Sequence, residues 1–398
     1  MKESNTSIEK DKILFGVLWL GYLFITLVLF YNQATSAQGR LGTFYTDIEA
    51  YLEFLIQGER DPYTYAYPVL FNLIVFFSKF TSSSASAAFA VTLINCFTPI
   101  IIKYYFDKFI GRDKAVWNSI LTFVLLFVTP IFTGVINCNM YLGVWSPNTW
   151  HNAPILATKG ISIIAFFSFF ALLESYKTKI DVKEFLLFCV SMWLSVLSKP
   201  TFAFVFFPAV GLYLLYELLS SKCKIIKRSL LFFVAFIPSF LTLIYQYTIM
   251  FGENGNNQIV FGFGTVWHLC VNNLPFALLC GLAFPLFIAI CNYKYLLKSK
   301  SYRITVYFVL VSIGEGYFLQ EAGERMMHGN FMWGYCHGLF FSFFVSLIIF
   351  VRTFRQKNVY YRICGITLIS AHFISGIVWF IYQFFGRSYN NVVLSLFS

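Results

Sequence analysis

Charge is scarce in this chain. Of 398 residues only 12% are Asp, Glu, Lys or Arg, and only eighteen are acidic. A water-soluble globular surface carries about twice that fraction, so the composition excludes an ordinary soluble domain. The nine cysteines never fall in CxxC or paired spacing. Most lie inside apolar runs (Cys189, Cys280, Cys364), which argues against a disulfide framework or a zinc site and for small buried hydrophobes. Internal repeats, low-complexity tracts and an appended soluble segment are all missing. The apolar run from Ile13 to Tyr31 lacks a small-residue cleavage site and is too long for a signal-peptide core, so it is expected to be a retained first helix.

What is abundant is apolar surface. The chain is 58% hydrophobic and 21% aromatic, with fifty Phe, and its mean hydropathy is +0.70. Only a lipid-facing bundle uses that much. The expected fold is an all-α polytopic membrane protein, one integral-membrane domain over residues 1–398. About 11 transmembrane helices are expected, near 13–31, 84–106, 115–136, 157–176, 184–198, 201–220, 229–250, 268–292, 304–322, 330–351 and 361–385. The run Val69 to Phe80 is short for a span and fits an interfacial, membrane-parallel helix or a re-entrant one.

The formal charge of +11 does not imply a nucleic-acid partner, because the basic residues sit in short loops between apolar runs. If 69–80 does not cross, the loops 1–12, 103–114, 177–183, 222–228, 294–303 and 352–362 share one side and hold 22 of the 29 Lys and Arg. Counting 69–80 as a span would destroy that asymmetry. The positive-inside rule then puts the N-terminus in the cytoplasm and residues 32–83 outside a plasma membrane. The tail Gly386 to Ser398 comes out external as well.

The first external loop holds five of the acidic residues (Asp47, Glu49, Glu53, Glu59 and Asp61). Asp47 to Gln57 places Ile48, Tyr51, Leu52 and Leu55 at helical spacing, with Glu49 and Glu53 on another face. Gly58 and Asp61-Pro62 break the chain before the second helix, 69–80. Elsewhere outside, the ionisable groups are few: His151, Lys159, Lys199, Glu253, His268, Glu321, Glu324, Arg325, His328 and Arg387. Charges near hydrocarbon cost several kcal/mol unless paired or solvated, which makes them functional candidates.

These residue types suit sugar transfer from a lipid phosphate. A loop carboxylate can take the proton of an attacking hydroxyl, while Lys199, Arg325 and Lys159 can receive the charge of a departing phosphate. Asn148, His151, Glu321, Glu324 and His328 can bond sugar or phosphate, and Trp145, Trp150 and Trp333 offer flat faces for a sugar ring. Structural roles compete with each assignment. Asp47 and Glu49 can simply solvate an interfacial helix, and Asn148 or Thr149 can cap a helix start. Glu321, Glu324 and Arg325 can pair among themselves, and Lys199 can snorkel. His337 and His372 read as hydrogen-bonded core histidines, and Glu315 is the one carboxylate deep in a span.

Tyr45-Thr-Asp47-Ile-Glu49 after the first span, then Gly58, Asp61-Pro-Tyr63 and Tyr65-Ala-Tyr67-Pro68 before an apolar helix, resemble the GT-C superfamily of integral-membrane glycosyltransferases. The resemblance covers roughly residues 13–115; Asp-Ile-Glu stands where Asp-x-Asp is common, and a large soluble C-terminal domain is lacking. It implies membrane-parallel helices in the first external loop, with Asp47 as catalytic base, Glu49 at the second acidic position and Tyr45, Tyr63 and Tyr67 lining the substrate site. The donor would be a polyprenyl-phosphate sugar and the acceptor a glycan, glycolipid or cell-envelope polymer. A divalent cation is compatible with this chemistry without being required by it. Two other readings compete: a polysaccharide repeat-unit polymerase, which usually carries a large late external loop, and a secondary transporter or flippase of lipid-linked saccharides, which calls for sites near the bilayer midplane.

Overall fold

The computed structural model describes residues 2–36, 46–57, 66–133, 136, 145–251 and 258–386. The first half holds α1 (Lys2–Ser36), α2 (Ile48–Gln57), α3 (Pro68–Ser78), α4 (Ser83–Ile110), α5 (Ala115–Phe127), α6 (Ala153–Ser175), α7 (Val182–Ser198) and α8 (Thr201–Ser220). The second half holds α9 (Ile226–Val234), α10 (Ile237–Phe251), α11 (Thr265–Cys270), α12 (Leu274–Cys291), α13 (Tyr293–Leu296), α14 (Lys300–Phe318), α15 (Trp333–Thr353) and α16 (Val359–Phe384). Strands β1 (Ile259–Phe261) and β2 (Leu319–Glu321) form a short antiparallel ribbon, with Ile259 opposite Glu321.

Among the described residues seven helices, α1, α4, α6, α8, α12, α15 and α16, are long and apolar enough to cross a membrane. The protein is therefore an all-α, multi-pass membrane protein. The bent pair α9 and α10 raises the count to eight; the two pieces meet at 52° just before Pro238, where proline removes a helix hydrogen bond. The three other expected spans take shorter or more polar forms. Helix α5 is 13 residues long and stops before Thr129-Pro130, because a residue before proline is driven out of the helical region. Helix α7 has 17 residues, and α14 carries Lys300, Arg303 and Glu315.

Sequence chemistry sets the helix starts. Asn152, Asp181, Asn273, Ser299 and Asn358 each accept a backbone N–H from the first turn of the helix that follows. Such caps satisfy amides that the helix itself leaves open. Packing then orders the bundle. In α6 and α15, 83% and 94% of the apolar span is buried by protein, against 22% in α1 and 33% in α16, so the first two form the axis. Their aromatic faces meet directly, with Phe166 stacked on Phe341 at 4.1 Å.

Helices α1 and α4 run antiparallel. Ser84 Oγ donates to the Ala34 carbonyl (3.3 Å), Asn95 Nδ2 to Tyr22 Oη (2.8 Å) and Trp19 Nε1 to the Cys96 carbonyl (2.9 Å). At the far end Lys103 pairs with Asp11 at 3.2 Å. The chain therefore leaves α1 and enters α4 at the same end of the bundle. Helix α3, between them, has 11 residues, about 16 Å of rise, roughly half a bilayer core.

The extended stretch after α5 is threaded between α12 and α16. The Thr129 amide donates to the His372 carbonyl and the Ile131 amide to the Cys280 carbonyl. His372 Nδ1 lies 2.7 Å from the Thr129 carbonyl, and Ser375 Oγ donates to the Pro130 carbonyl. Non-helical backbone inside a membrane bundle needs such partners. His372 is fully buried, and its place as a hydrogen-bonded core histidine follows from this strap.

Candidate functional site

The polar stretch 145–152 is not an open loop, because every residue in it is buried. Trp145 takes a left-handed backbone conformation (φ 43°), costly for a bulky residue. Its ring meets that of Trp333 edge-on at 4.8 Å. Gly329 lies beneath it: a Cβ there would come within 3.1 Å of the indole. Asn148 turns inward, and Nδ2 donates to the Leu125 carbonyl (3.2 Å) and the Val128 carbonyl (2.8 Å). Those are orphan acceptors at the C-terminal end of α5. Lys159 Nζ donates to Asn148 Oδ1 at 2.8 Å, bringing a positive charge to the negative end of that helix.

These contacts reassign three expected site residues. Asn148 and Lys159 (1% and 2% exposed) form an internal helix cap rather than a sugar and phosphate contact. Trp150 packs among Tyr22, Phe127 and Phe380 and presents no face to a ligand. The cap of α6 is Asn152 rather than Asn148 or Thr149.

Beside this plug the first loop brings in Asp47. The Asp47 amide donates to the His151 carbonyl at 3.0 Å. Thr46 Oγ1 donates to the same carbonyl (3.3 Å) and to Gln33 Oε1 (3.2 Å), while Gln33 Nε2 donates to the Trp150 carbonyl. Asp47 thus stands immediately before α2, where a carboxylate suits the positive end of a helix. It keeps some surface open to solvent. Burial raises its pKa from the ordinary 3.8, and the nearby Lys199 and then His328 pull it the other way.

Lys199 sits at the corner between α7 and α8, where Pro200 ends one helix and begins the next. Its ammonium donates to Asn152 Oδ1 at 3.3 Å and lies 5.3 Å from the centre of the Trp333 ring, a cation–π distance. Burial lowers its pKa, and the charge of Asp47 opposes that. The His151 ring, 5.8 Å from the Trp333 ring, has a pKa lowered to about 3 by burial and by Lys199, so its imidazole is neutral at physiological pH. Lys199 and the neutral His151 imidazole therefore flank Trp333, and Asp47 lies within electrostatic reach of Lys199 and of the exposed His328. That set can take a proton from a hydroxyl and accept negative charge on a phosphate.

Other expected residues lie apart from this group. Glu49 is exposed on α2. Arg325 pairs with Glu321 at 3.0 Å, and Asn330 Nδ2 donates to the other Glu321 oxygen at 2.6 Å; of the three expected partners, Glu321 and Arg325 meet at the end of the β ribbon. Glu324 belongs to the turn Gly323–His328, and its side chain lies outside the described residues, as do Tyr45 and Tyr63. Tyr67 directly precedes α3 and is half-buried. Among the described residues no three His, Cys, Asp or Glu side chains gather as a metal site would require.

Gln33 and Thr46 support the site without having been expected, whereas His337, which contacts Thr201 at 3.2 Å, meets the expectation of a hydrogen-bonded core histidine. The amide pair Asn32-Gln33 near the end of an apolar helix was the readable signal. No protein-family model matches the chain, and no curated protein matches it.

Proposed function

We propose that this protein is an inverting membrane glycosyltransferase that moves one sugar from a polyprenyl-phosphate carrier to a glycan, glycolipid or cell-envelope polymer. The observation that carries the reading is the electrostatic grouping of Asp47 with Lys199 and His328, Lys199 itself lying over the Trp333 ring. In the reaction Asp47 takes the proton of the acceptor hydroxyl as its oxygen bonds to the anomeric carbon. The bond from that carbon to the phosphate oxygen breaks with its electron pair, and Lys199 and His328 stabilise the phosphate that leaves. A single displacement with one base inverts the anomeric centre. Trp333, whose ring lies under Lys199, holds that ammonium in place.

The same reading takes the chain as eleven passes with the N-terminus in the cytoplasm and this site at the external face of the plasma membrane. Supporting it, Lys103 pairs with Asp11, Glu217 with Lys177 and Arg303, and Lys357 with the Cys291 carbonyl, each through a basic residue of the Lys- and Arg-rich loops. The Lys and Arg bias of the short loops gives the direction.

A second reading has its own support. The interruption of α5 and the extended strap between α12 and α16 is the kind of broken helix from which secondary transporters build midplane sites; a flippase of lipid-linked saccharides is the corresponding function. Turnover of a panel of radiolabelled polyprenyl-phosphate sugars in membranes separates the two. Release of carrier phosphate by wild type supports transfer. Movement of an intact labelled carrier between leaflets, with no release, overturns it.

A further inference from the structure

Glu315 lies in the last turn of α14, and its carbonyl accepts the Leu319 amide that ends the helix. Its side chain turns towards the first turn of α15, where Gly334 makes room: a Cβ at that position would lie 2.7 Å from Oε2 and would collide with Val205 of α8. Oε2 is buried and has no hydrogen-bond partner among the described residues. Buried polar atoms are nearly always partnered, and an orphaned one costs about 1–3 kcal/mol. A carboxyl kept in such a place therefore calls for an account, and neither the caps nor the ion pairs of the bundle involve it.

Its surroundings supply one. Gly334 directly follows Trp333, the ring that carries Lys199 and touches His151. Three residues further on, His337 contacts Thr201 at 3.2 Å. The orphaned oxygen thus lies in the seam of α8, α14 and α15, one residue round the helix from Trp333. We propose that Glu315 reads a hydroxyl of the transferred sugar, its free oxygen forming the hydrogen bond that the described residues do not make. The proposal rests on the glycosyl-transfer reading. The ligand class is a polyhydroxylated sugar ring on a lipid phosphate, the phosphate being held elsewhere by Lys199.

The test uses the full chain in lipid nanodiscs. Affinity is measured for a short-chain polyprenyl phosphate and for the same carrier bearing glucose, mannose, galactose or arabinose. Wild type, Glu315→Met (similar volume, no oxygen) and Glu315→Gln (one acceptor oxygen kept) are compared. If Glu315 reads the sugar, Glu315→Met binds the preferred glycosylated carrier about tenfold or more weakly, the bare carrier is held as before, and Glu315→Gln recovers most of the loss. Should Glu315→Met fail to insert, Glu315→Ala takes its place.

Equal weakening for bare and glycosylated carriers makes Glu315 a structural residue and overturns the proposal. So does an unchanged preference in the variant. Wild type that turns over a donor while the variants match it sinks only this inference. Wild type that binds no carrier of either kind sinks it together with the glycosyl-transfer reading.

Discussion

The amide of Asp47 donates to the carbonyl of His151 at 3.0 Å, so the acidic loop is tied to the plug before α6 through main-chain atoms. Thr46 reaches the same carbonyl, and Gln33 links Thr46 to the neighbouring Trp150 carbonyl. Among the described residues the carboxylate takes no part in this tether, and its position is set by backbone.

Replacing Asp47 by Asn should therefore leave the loop in place while removing the base. Turnover of the preferred donor is expected to fall about a thousandfold or more, towards the strong end of general-base effects, with the thermal melting point in detergent unchanged. Glu49→Gln should turn over like wild type, because Glu49 is exposed on α2. A Glu49 variant as impaired as the Asp47 variant would show that the second acidic position takes part.

The pH dependence follows from the signs of the two shifts. Asp47 must be ionised to act as base, and burial moves its pKa above the ordinary 3.8, so activity is lost on acidification at a higher pH than for an exposed Asp. Lys199 must be protonated to receive phosphate, and burial moves its pKa below 10.5, so activity is lost on alkalinisation earlier than for an exposed Lys. The profile of kcat/KM should be a bell narrowed from both sides, its limbs belonging to the coupled pair. Lys199→Arg should push the alkaline limb outward, since guanidinium stays charged. An alkaline limb that stays where it was would remove Lys199 from the profile.

Much of this arrangement was legible from residue order alone. Apolar runs of spanning length marked the long apolar helices, and the pairing of Ser84 with Ala34 puts the end of α1 beside the start of α4, the arrangement expected if Val69 to Phe80 does not cross. Asp47 and Lys199 stood out because charge in an apolar chain is rare, and they lie within electrostatic reach of each other. Burial was not legible. Asn148, Trp150 and Lys159 look like polar loop chemistry in sequence, and only the end of α5 beside them shows that they close a helix. Glu321 and Arg325 spend their charges on one another because the β ribbon, invisible to helical periodicity, brings that turn together.

The internal cap predicts a stability effect separate from activity. Asn148→Ala leaves the Leu125 and Val128 carbonyls without their donor, at about 1–3 kcal/mol for each unpaired group. Lys159→Met removes the charge but leaves the Asn148 amide able to bond both carbonyls, so it should cost less. Melting in detergent should drop for both, most for Asn148→Ala. Turnover per folded molecule should stay near wild type, and a Lys159→Met chain that melts normally but releases no carrier phosphate would return Lys159 to the donor site.

Gly376 predicts the tightest steric limit among the described glycines. It lies on α16 where the last carbonyl of α5, that of Phe127, comes so close that a Cβ would occupy the carbonyl itself. Backbone cannot swing aside as a side chain does, and the strap that follows is pinned by His372 and Ser375. Gly376→Ala must therefore push α16 away from the end of α5, stretching those hydrogen bonds. Overpacking of this kind costs about 1–3 kcal/mol before any hydrogen bond is lost. The variant should melt well below wild type and expose the Thr129 and Ile131 amides to hydrogen exchange. Gly21→Ala is the control, since a Cβ there meets nothing within 4 Å. Equal melting of the two variants would mean that α5 and α16 do not meet as closely as the structure places them.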